Sequence, residues 1–505
     1  MNYRPDSRKQ RLWDTWMFAD PDGRRMHLFY LMGLGSDEPF SGVGHVVSED
    51  LVQWEPLPDI PAKLPGDTYD VGVIGTGMVF VGPDGAFWMS YTTNILAGDQ
   101  RIAFMRSRDL IHWEKTRQEP CIGSQPPYYE TQASRAVSDP FAFRDAFIVR
   151  RGDSYEALVA GHTAHGPQLL RGCIARYRST DAKLETWEPL APLLGPGVTM
   201  LIEVPEYHEI NGRHYLLYST AYLLGVACNT RARRNIWGTF YAVADSYEGP
   251  YTIPADNMLL GAGDYPGLWQ AAIARMIPWK GEWFVYHQTG APPHTSTGLP
   301  KRVVQEQDGA LSVRYWQGVE KIHQREIRLS LETIRAQGAN IQVGEWSRTS
   351  ENSIRGTVDG GGSLGLISGE YEDVHLRCKV TPESVTRFGI TLRDGGQGTQ
   401  KAGVAIEGDI EFGEWHFGTP QHGWCSYIHS AEKIVEPVAN GTPYQLDILV
   451  RDIYLEAYID GVWKFTRVID GNARRGGIGF YVEGGTACFT DVEMWELEPM
   501  VNRLP

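Results

Sequence analysis

Apolar and aromatic positions along the chain come in short runs set between glycines, and almost no stretch carries the 3.6-residue period of an amphipathic helix. The pattern predicts strands joined by tight turns. It also repeats. A turn glycine followed by an aromatic and aliphatic strand occurs at Gly23 before Met26–Tyr30, Gly85 before Phe87–Tyr91, Gly152 before Tyr155–Val159, Gly212 before His214–Tyr218 and Gly281 before Trp283–Tyr286, at intervals of roughly 60 to 70 residues. A second signature closes several of these units: Ser48–Trp54, Ser107–Trp113, the looser Ser179–Trp187, and a fourth version at Asp245–Tyr251. One such interval accommodates a four-stranded sheet with its connections. Five of them predict a five-bladed β-propeller over residues 1–325.

After about Gln324 the pattern changes, and residues 326–339 read as a linker of short helical or strand-like character. From about Asn340 period-two alternation returns, in Asp373–Val380, Phe388–Arg393, Tyr444–Val450 and Tyr454–Ile459. Asp460 and Gly461 then offer a hairpin turn into Val462–Phe465. Residues 340–505 are therefore expected to form a β-sandwich. The predicted class is all-β, a five-bladed β-propeller followed by a C-terminal β-sandwich.

Composition narrows the functional classes. The 505 residues exceed one ordinary domain. With 47 Lys and Arg against 62 Asp and Glu, the formal charge is −15, which repels a polyanion and argues against nucleic-acid binding. The 16 Trp, 24 Tyr, 17 Phe and 56 Gly suit many short strands and turns. The longest uncharged stretches, such as Pro189–Ile202, are broken by Pro and Gly and fall short of a membrane span, and the polar start lacks a signal-peptide pattern. Six cysteines without paired spacing suggest neither a zinc site nor a disulfide framework. A cytoplasmic protein is expected.

Candidate chemistry follows from the repeat. The innermost strand of a propeller blade lines the central funnel and precedes the glycine hairpin. Counting nine residues back from Gly23 and Gly212 reaches Asp14 and Glu203, and thirteen back from Gly152 reaches Asp139. The matching positions of the second and fifth units are Thr76 and Ala272. Three acids converging in a partly desolvated funnel have their pKa values pushed apart, because adjacent like charges cannot all ionise cheaply. Glycoside cleavage needs that arrangement: one carboxylate as nucleophile or base and one carboxylic acid to protonate the leaving oxygen.

These residues carry a family resemblance. Leu12–Met17, with Trp13, Asp14 and Trp16, resembles the "WDSW" nucleophile segment of glycoside hydrolase family 68, the levansucrases, and the nucleophile strand of family 32, the invertases, inulinases and levanases. Ser138-Asp139-Pro140 is similar to their "RDP" segment, and Glu203–Glu206 followed by Tyr207 to the family 32 "ECPD" segment. The resemblance implies Asp14 as nucleophile, Glu203 as general acid/base and Asp139 as transition-state stabiliser, on a five-bladed propeller with an appended β-sandwich. Asp20 mimics the nucleophile of the family 32 "WMNDPNG" box but falls on the Asp20–Gly23 hairpin, and Glu206 rivals Glu203 from the opposite face of its strand. Ser138 stands in place of the segment's Arg, and Val204 in place of the Cys.

Around the acids, Trp13, Trp16, Tyr207 and Trp269 are candidates to wall a sugar ring, with Asp70, Thr76, Arg135, His162 and Gln270 as hydrogen-bonding candidates. No phosphate loop, nucleophile elbow or zinc helix is found, and His162 with His165 is the nearest approach to a metal pair. Neither metal nor cofactor is expected. The expected partner is a small saccharide, without nucleic acid or membrane. The expected activity is retaining hydrolysis of furanosides, foremost β-fructofuranosides. A family 43-like inverting arabinofuranosidase or xylosidase and a non-catalytic carbohydrate-binding propeller remain open alternatives.

Overall fold

The computed structural model describes residues 3–5, 10–34, 38–61, 74–93, 100–117, 119–131, 142–221, 237–261, 269–290, 295–333, 344–385, 387–394, 401–407, 409–415, 439–468 and 475–500. It is all-β. Four antiparallel four-stranded sheets follow one another along the chain: β1 (Gln10–Ala19), β2 (Met26–Leu34), β3 (Glu38–Ser48) and β4 (Glu55–Pro61); β5 (Ile74–Val81), β6 (Phe87–Thr93), β7 (Arg101–Ser107) and β8 (Trp113–Lys115); β9 (Arg144–Arg151), β10 (Ser154–His162), β11 (Gly172–Ser179) and β12 (Trp187–Leu194); β13 (Glu203–Ile210), β14 (Arg213–Ala221), β15 (Trp237–Ala244) and β16 (Met258–Gly261). Each sheet is a meander in sequence order, and the first strands pack side by side, β1 on β5, β5 on β9 and β9 on β13. These are the blades of a β-propeller. After them come β17 (Trp269–Trp279), β18 (Glu282–Gly290), β19 (Ser296–Thr297), β20 (Lys301–Gln305) and β21 (Leu311–Arg314), with β18 antiparallel to β19 and β20.

The two signatures of the repeat mark turns at the same end of each blade, where Met26 pairs with Ser48 and Phe87 with Ser107. Gly152 and Gly212 take φ values of 62° and 77° in two-residue hairpins between the first and second strands, a conformation that costs glycine little. The Asp-Leu-Trp signature builds the turn between the third and fourth strands. Asp50 Oδ1 accepts from the Val52 and Gln53 amides, and Asp109 Oδ1 from those of Ile111 and His112, all at 2.8–2.9 Å. Leu110 and Leu184 adopt positive φ, and the indoles of Trp113 and Trp187 donate to their carbonyls. Each unit therefore repeats because the same side chains satisfy the same turn backbone.

Between blades the core is aromatic. Trp16, Phe29, Met89, Tyr91 and Trp113 pack the first sheet on the second, and Phe80, Phe104, Tyr155, Tyr177 and Trp187 the second on the third. Trp16, expected to wall a sugar, is instead 1% exposed and stacks on Phe29. The correction follows from pleat: Asp14 and Trp16 are separated by the register shift between Leu12 and Thr15, which turns the tryptophan into the interblade core.

The described chain divides into two compact units, the first ending at Val313 and the second running on from Arg314. The segment read as a linker contains a strand, Leu331–Thr333, paired with Ser353–Tyr371, and His323–Glu326 pairs with Gly476–Leu497. The second unit is antiparallel β, with a core of Ile354, Leu376, Phe388, Ile448, Leu455, Phe480 and Phe489.

Candidate active site

The four blade-initial strands share an irregularity. Register shifts of one residue fall between Leu12 and Thr15 on β1, Gly75 and Gly77 on β5, opposite Leu158–Ala160 on β9, and between Glu203 and Glu206 on β13. A bulge at one level of each strand leaves a residue outside the ladder and redirects its side chain. Asp14, Thr76, Asp145 and Val204 lie within these bulges, and Asp145 and Val204 have φ of 61° and 45°. A β-branched valine with positive φ is strained, and the neighbouring contacts hold it there.

The bulges gather four strands' polar groups. Thr76 Oγ1 donates to Asp14 Oδ2, and Gln288 Nε2 on β18 donates to Asp14 Oδ1 at 3.1 Å. Arg144 Nη2 donates to Glu203 Oε1, while its Nε lies 3.6 Å from Asp145 Oδ2. Asp145 Oδ2 in turn accepts from the Val204 amide at 3.1 Å, and the Asp145 amide donates to Thr92 Oγ1 at 2.9 Å. Asp14, Arg144, Asp145 and Glu203 thus form one electrostatic cluster.

Burial pushes the Asp14 carboxyl up to about 6; Glu203 adds to the rise, against the Thr76 hydrogen bond and the Arg275 and Arg144 charges. Burial likewise pushes Asp145 up to about 7, reinforced by Asp14 and Glu203 and opposed by Arg144 and the Val204 amide. Burial disfavours the Arg144 charge, but Glu203, Asp145 and Asp14 together hold its pKa above the usual value. The cluster can therefore exchange protons near neutrality.

Beneath it lies a second, fully paired group. Glu206, 1% exposed, receives Arg275 Nε at 2.5 Å and the Met276 amide at 2.9 Å, and Arg275 Nη1 donates to the Gly77 carbonyl at 2.9 Å. Burial would raise the Glu206 pKa, but Arg275 and His208 bring it below the usual value. Glu206 is a structural tie between strands, since both its oxygens are engaged. Asp20 sits on the hairpin, bonded to His27 Nε2 at 3.0 Å and Arg25 Nε at 2.9 Å.

Of the other candidates, Trp13 is half-buried with its ring against Phe40. His162, at the end of β10, is buried with Nδ1 3.2 Å from Glu130 Oε2, and Glu130 also binds Arg171. Tyr207 is not brought to the acids. Its hydroxyl lies 2.7 Å from His214 Nδ1 and its ring meets Tyr247, since four strand residues carry it about 13 Å from Glu203. Asp139, Asp70 and Arg135 lie outside the described residues, as do the side chains of Trp269 and Gln270 on β17.

The sequence reading missed Asp145, Arg144 and Gln288. A signal for the first two existed: Phe143-Arg144-Asp145 carries the Arg-Asp pair of the "RDP" segment, with Ala146 in the proline's place. Among the described residues no cluster of three or more His, Cys, Asp or Glu side chains is arranged to hold a metal ion. Nor is any helix long and apolar enough to cross a membrane.

The family model for the glycosyl hydrolases family 32 N-terminal domain matches residues 21–263, a span holding Asp145 and Glu203. The comparisons support a place in the glycoside hydrolase family 32/68 superfamily. Within that superfamily it is 26% identical over 264 residues to a sucrose-6-phosphate hydrolase of Zymomonas mobilis, covering 47% of this chain and 46% of that protein. The chain spans about half the length of the curated relatives it matches. Among solved structures, fructan 1-exohydrolase IIa from Cichorium intybus superposes with a TM-score of 0.66 at 14% identity, covering 98% of both chains. A family 32 β-fructofuranosidase from Bombyx mori gives 0.63 at 17% identity, over 98% of this chain and 94% of that one. Both likenesses run over nearly the whole chain.

Proposed function

We propose that the chain is a glycosidase that hydrolyses β-fructofuranosides with retention, on a propeller whose fifth blade is built from β17, β18, β20 and β21, with the second unit as a β-sandwich. The observation that carries this reading is the convergence of Asp14, Asp145 and Glu203 around Arg144. The names of its relatives, sucrose-6-phosphate hydrolase and β-fructofuranosidase, point the same way.

In the first step a carboxylate oxygen of Asp14 attacks the anomeric carbon. The glycosidic bond breaks, its electron pair stays on the leaving oxygen, and that oxygen takes the proton of Glu203. In the second step water attacks the same carbon and gives its proton to Glu203, and the ester to Asp14 breaks to restore both carboxyls. Asp145 takes the role first sought at Asp139, binding sugar hydroxyls more strongly in the oxocarbenium-like transition state than in the ground state. Thr76 orients the nucleophile, and His162 and Trp13 are the remaining described candidates for the sugar. Cys121, Cys173, Cys378 and Cys488 carry free thiols, which suits a reducing cytoplasm.

The test is a substrate panel of sucrose and short fructo-oligosaccharides beside chromogenic arabinofuranosides and xylosides, with wild type, Asp14→Asn and Glu203→Gln. Cleavage of the fructosides by wild type alone supports the assignment. Cleavage of only the arabinofuranosides or xylosides overturns the fructoside reading, and equal rates in all three proteins overturn the catalytic one.

A further inference from the structure

Gln288 is a buried polar side chain of the described site to which the reaction has so far given no role. It lies on β18, 1% exposed, with its backbone carbonyl 3.0 Å from His287 Nδ1 and its residue paired with Thr297. Its Nε2 lies 3.1 Å from Asp14 Oδ1, while Thr76 occupies Oδ2 from the other side. The carboxylate accepts only, so the amide nitrogen must face it, and the carbonyl Oε1 must then point elsewhere. Among the described residues that Oε1 is buried without a hydrogen-bond partner. A buried carbonyl is seldom left unpaired, and one beside a nucleophile is placed for a ligand hydroxyl.

We propose that Gln288 is a positioning residue with two faces: its Nε2 fixes the attacking carboxylate of Asp14, and its Oε1 accepts a hydroxyl of the bound fructofuranosyl ring. The inference rests on the proposed hydrolysis for the identity of the sugar, though not for the contact to Asp14. With Thr76 on one oxygen and Gln288 on the other, the carboxylate plane is held by two strands of different sheets. A hydroxyl bound at Oε1 polarises the amide and strengthens the bond that Nε2 donates, so the nucleophile is best held when the sugar is present.

Among the described residues, the charged and titratable groups around Asp14 are Glu203 on β13, Arg144 and Asp145 on β9 and Arg275 on β17, with Thr76 as the hydroxyl donor from β5. None of them is changed by substituting Gln288. Removing the amide donor therefore acts first on the Asp14 titration, upward in Gln288→Leu and further upward in Gln288→Glu, where a second carboxylate faces the first, and Asp145 follows through its coupling to Asp14.

The experiment titrates the carboxyl carbons of aspartate-labelled protein by NMR, with the Asp14 resonance identified by its loss in Asp14→Asn, in wild type, Gln288→Leu and Gln288→Glu. In parallel, kcat and KM on a short fructo-oligosaccharide are measured across pH. The expected result is an Asp14 midpoint raised in both variants, with the acid limb of kcat/KM following it. KM should rise several-fold in Gln288→Leu, which has no acceptor, and stay closer to wild type in Gln288→Glu. An unmoved Asp14 midpoint in both variants overturns the positioning role, and an unmoved KM in Gln288→Leu overturns the sugar contact. The titration needs no substrate, so a shifted midpoint in a protein inactive on fructosides would uphold the contact to Asp14 while refuting the assigned activity and, with it, the sugar.

Discussion

The Asp145 carboxylate accepts a hydrogen bond from the Val204 amide at 3.1 Å, so the backbone next to Glu203 hangs on the acid next to Arg144. Electrostatics and strand geometry are tied together at this point. Asp145→Asn keeps an acceptor for the amide and removes the charge, whereas Asp145→Ala removes both. Steady-state kinetics should show kcat lowered by about 10²–10³-fold in Asp145→Asn with KM near wild type and no loss of melting temperature, the loss typical of one electrostatic stabiliser. Asp145→Ala should lose at least as much activity and also melt earlier.

Raised carboxyl pKa values carry a stability cost. The folded-state pKa values of Asp14 and Asp145, about 6 and about 7, lie above the unfolded value of 3.8, so the stability they contribute is fully present below pH 3.8 and is lost as pH rises through 6 and 7. Denaturant unfolding at pH 8 should therefore find Asp14→Asn more stable than wild type, by an amount of order 1–3 kcal/mol. At pH 4 the difference should nearly vanish.

His45 works in the opposite direction. It is 1% exposed, its Nε2 lies 2.8 Å from His27 Nδ1, and its ring stacks on Phe29 at 4.2 Å. Burial, with His27 beside it, brings its pKa down from 6.5 to about 3. Its contribution to stability is present above pH 6.5 and is lost as pH falls towards 3, at up to ~1.4 kcal/mol per pH unit. Comparing unfolding free energies at pH 7 and pH 4.5, His45→Gln should fall by less than wild type.

The Arg275–Glu206 pair tests stability apart from chemistry. Leaving Glu206 buried without its guanidinium should make Arg275→Met less stable by about 3–5 kcal/mol, measured as a lower denaturant midpoint. Adding Glu206→Leu to Arg275→Met should recover part of that loss, because the uncompensated charge is gone.

Much of the propeller was legible in the sequence, because its turns are chemical. The glycine hairpins and the Asp-Leu-Trp turns need particular side chains at fixed offsets, and the offset of nine from Gly23, Gly85 and Gly212 led to Asp14, Thr76 and Glu203, which the structure gathers in one cluster. The same count does not transfer to the third blade. Gly152 opens a two-residue turn where Gly212 closes one, and a bulge then shifts the side chains, so the acid facing the cluster is Asp145. Trp16 and Tyr207 were misplaced for a related reason, since a one-residue register shift and a few strand positions decide which side chain meets the axis. Gln288 has no motif at all: its role arises only where β18 passes Asp14, a contact between residues 274 positions apart.

The most direct measurement of the central claim is an NMR time course of the fructose anomer released from sucrose or a short fructo-oligosaccharide by wild type. Double displacement at Asp14 predicts that fructose leaves the enzyme as the β-furanose, seen before mutarotation, and that Asp14→Asn releases none. First release of the α-anomer, or no release of fructose by the folded wild-type protein, would contradict it.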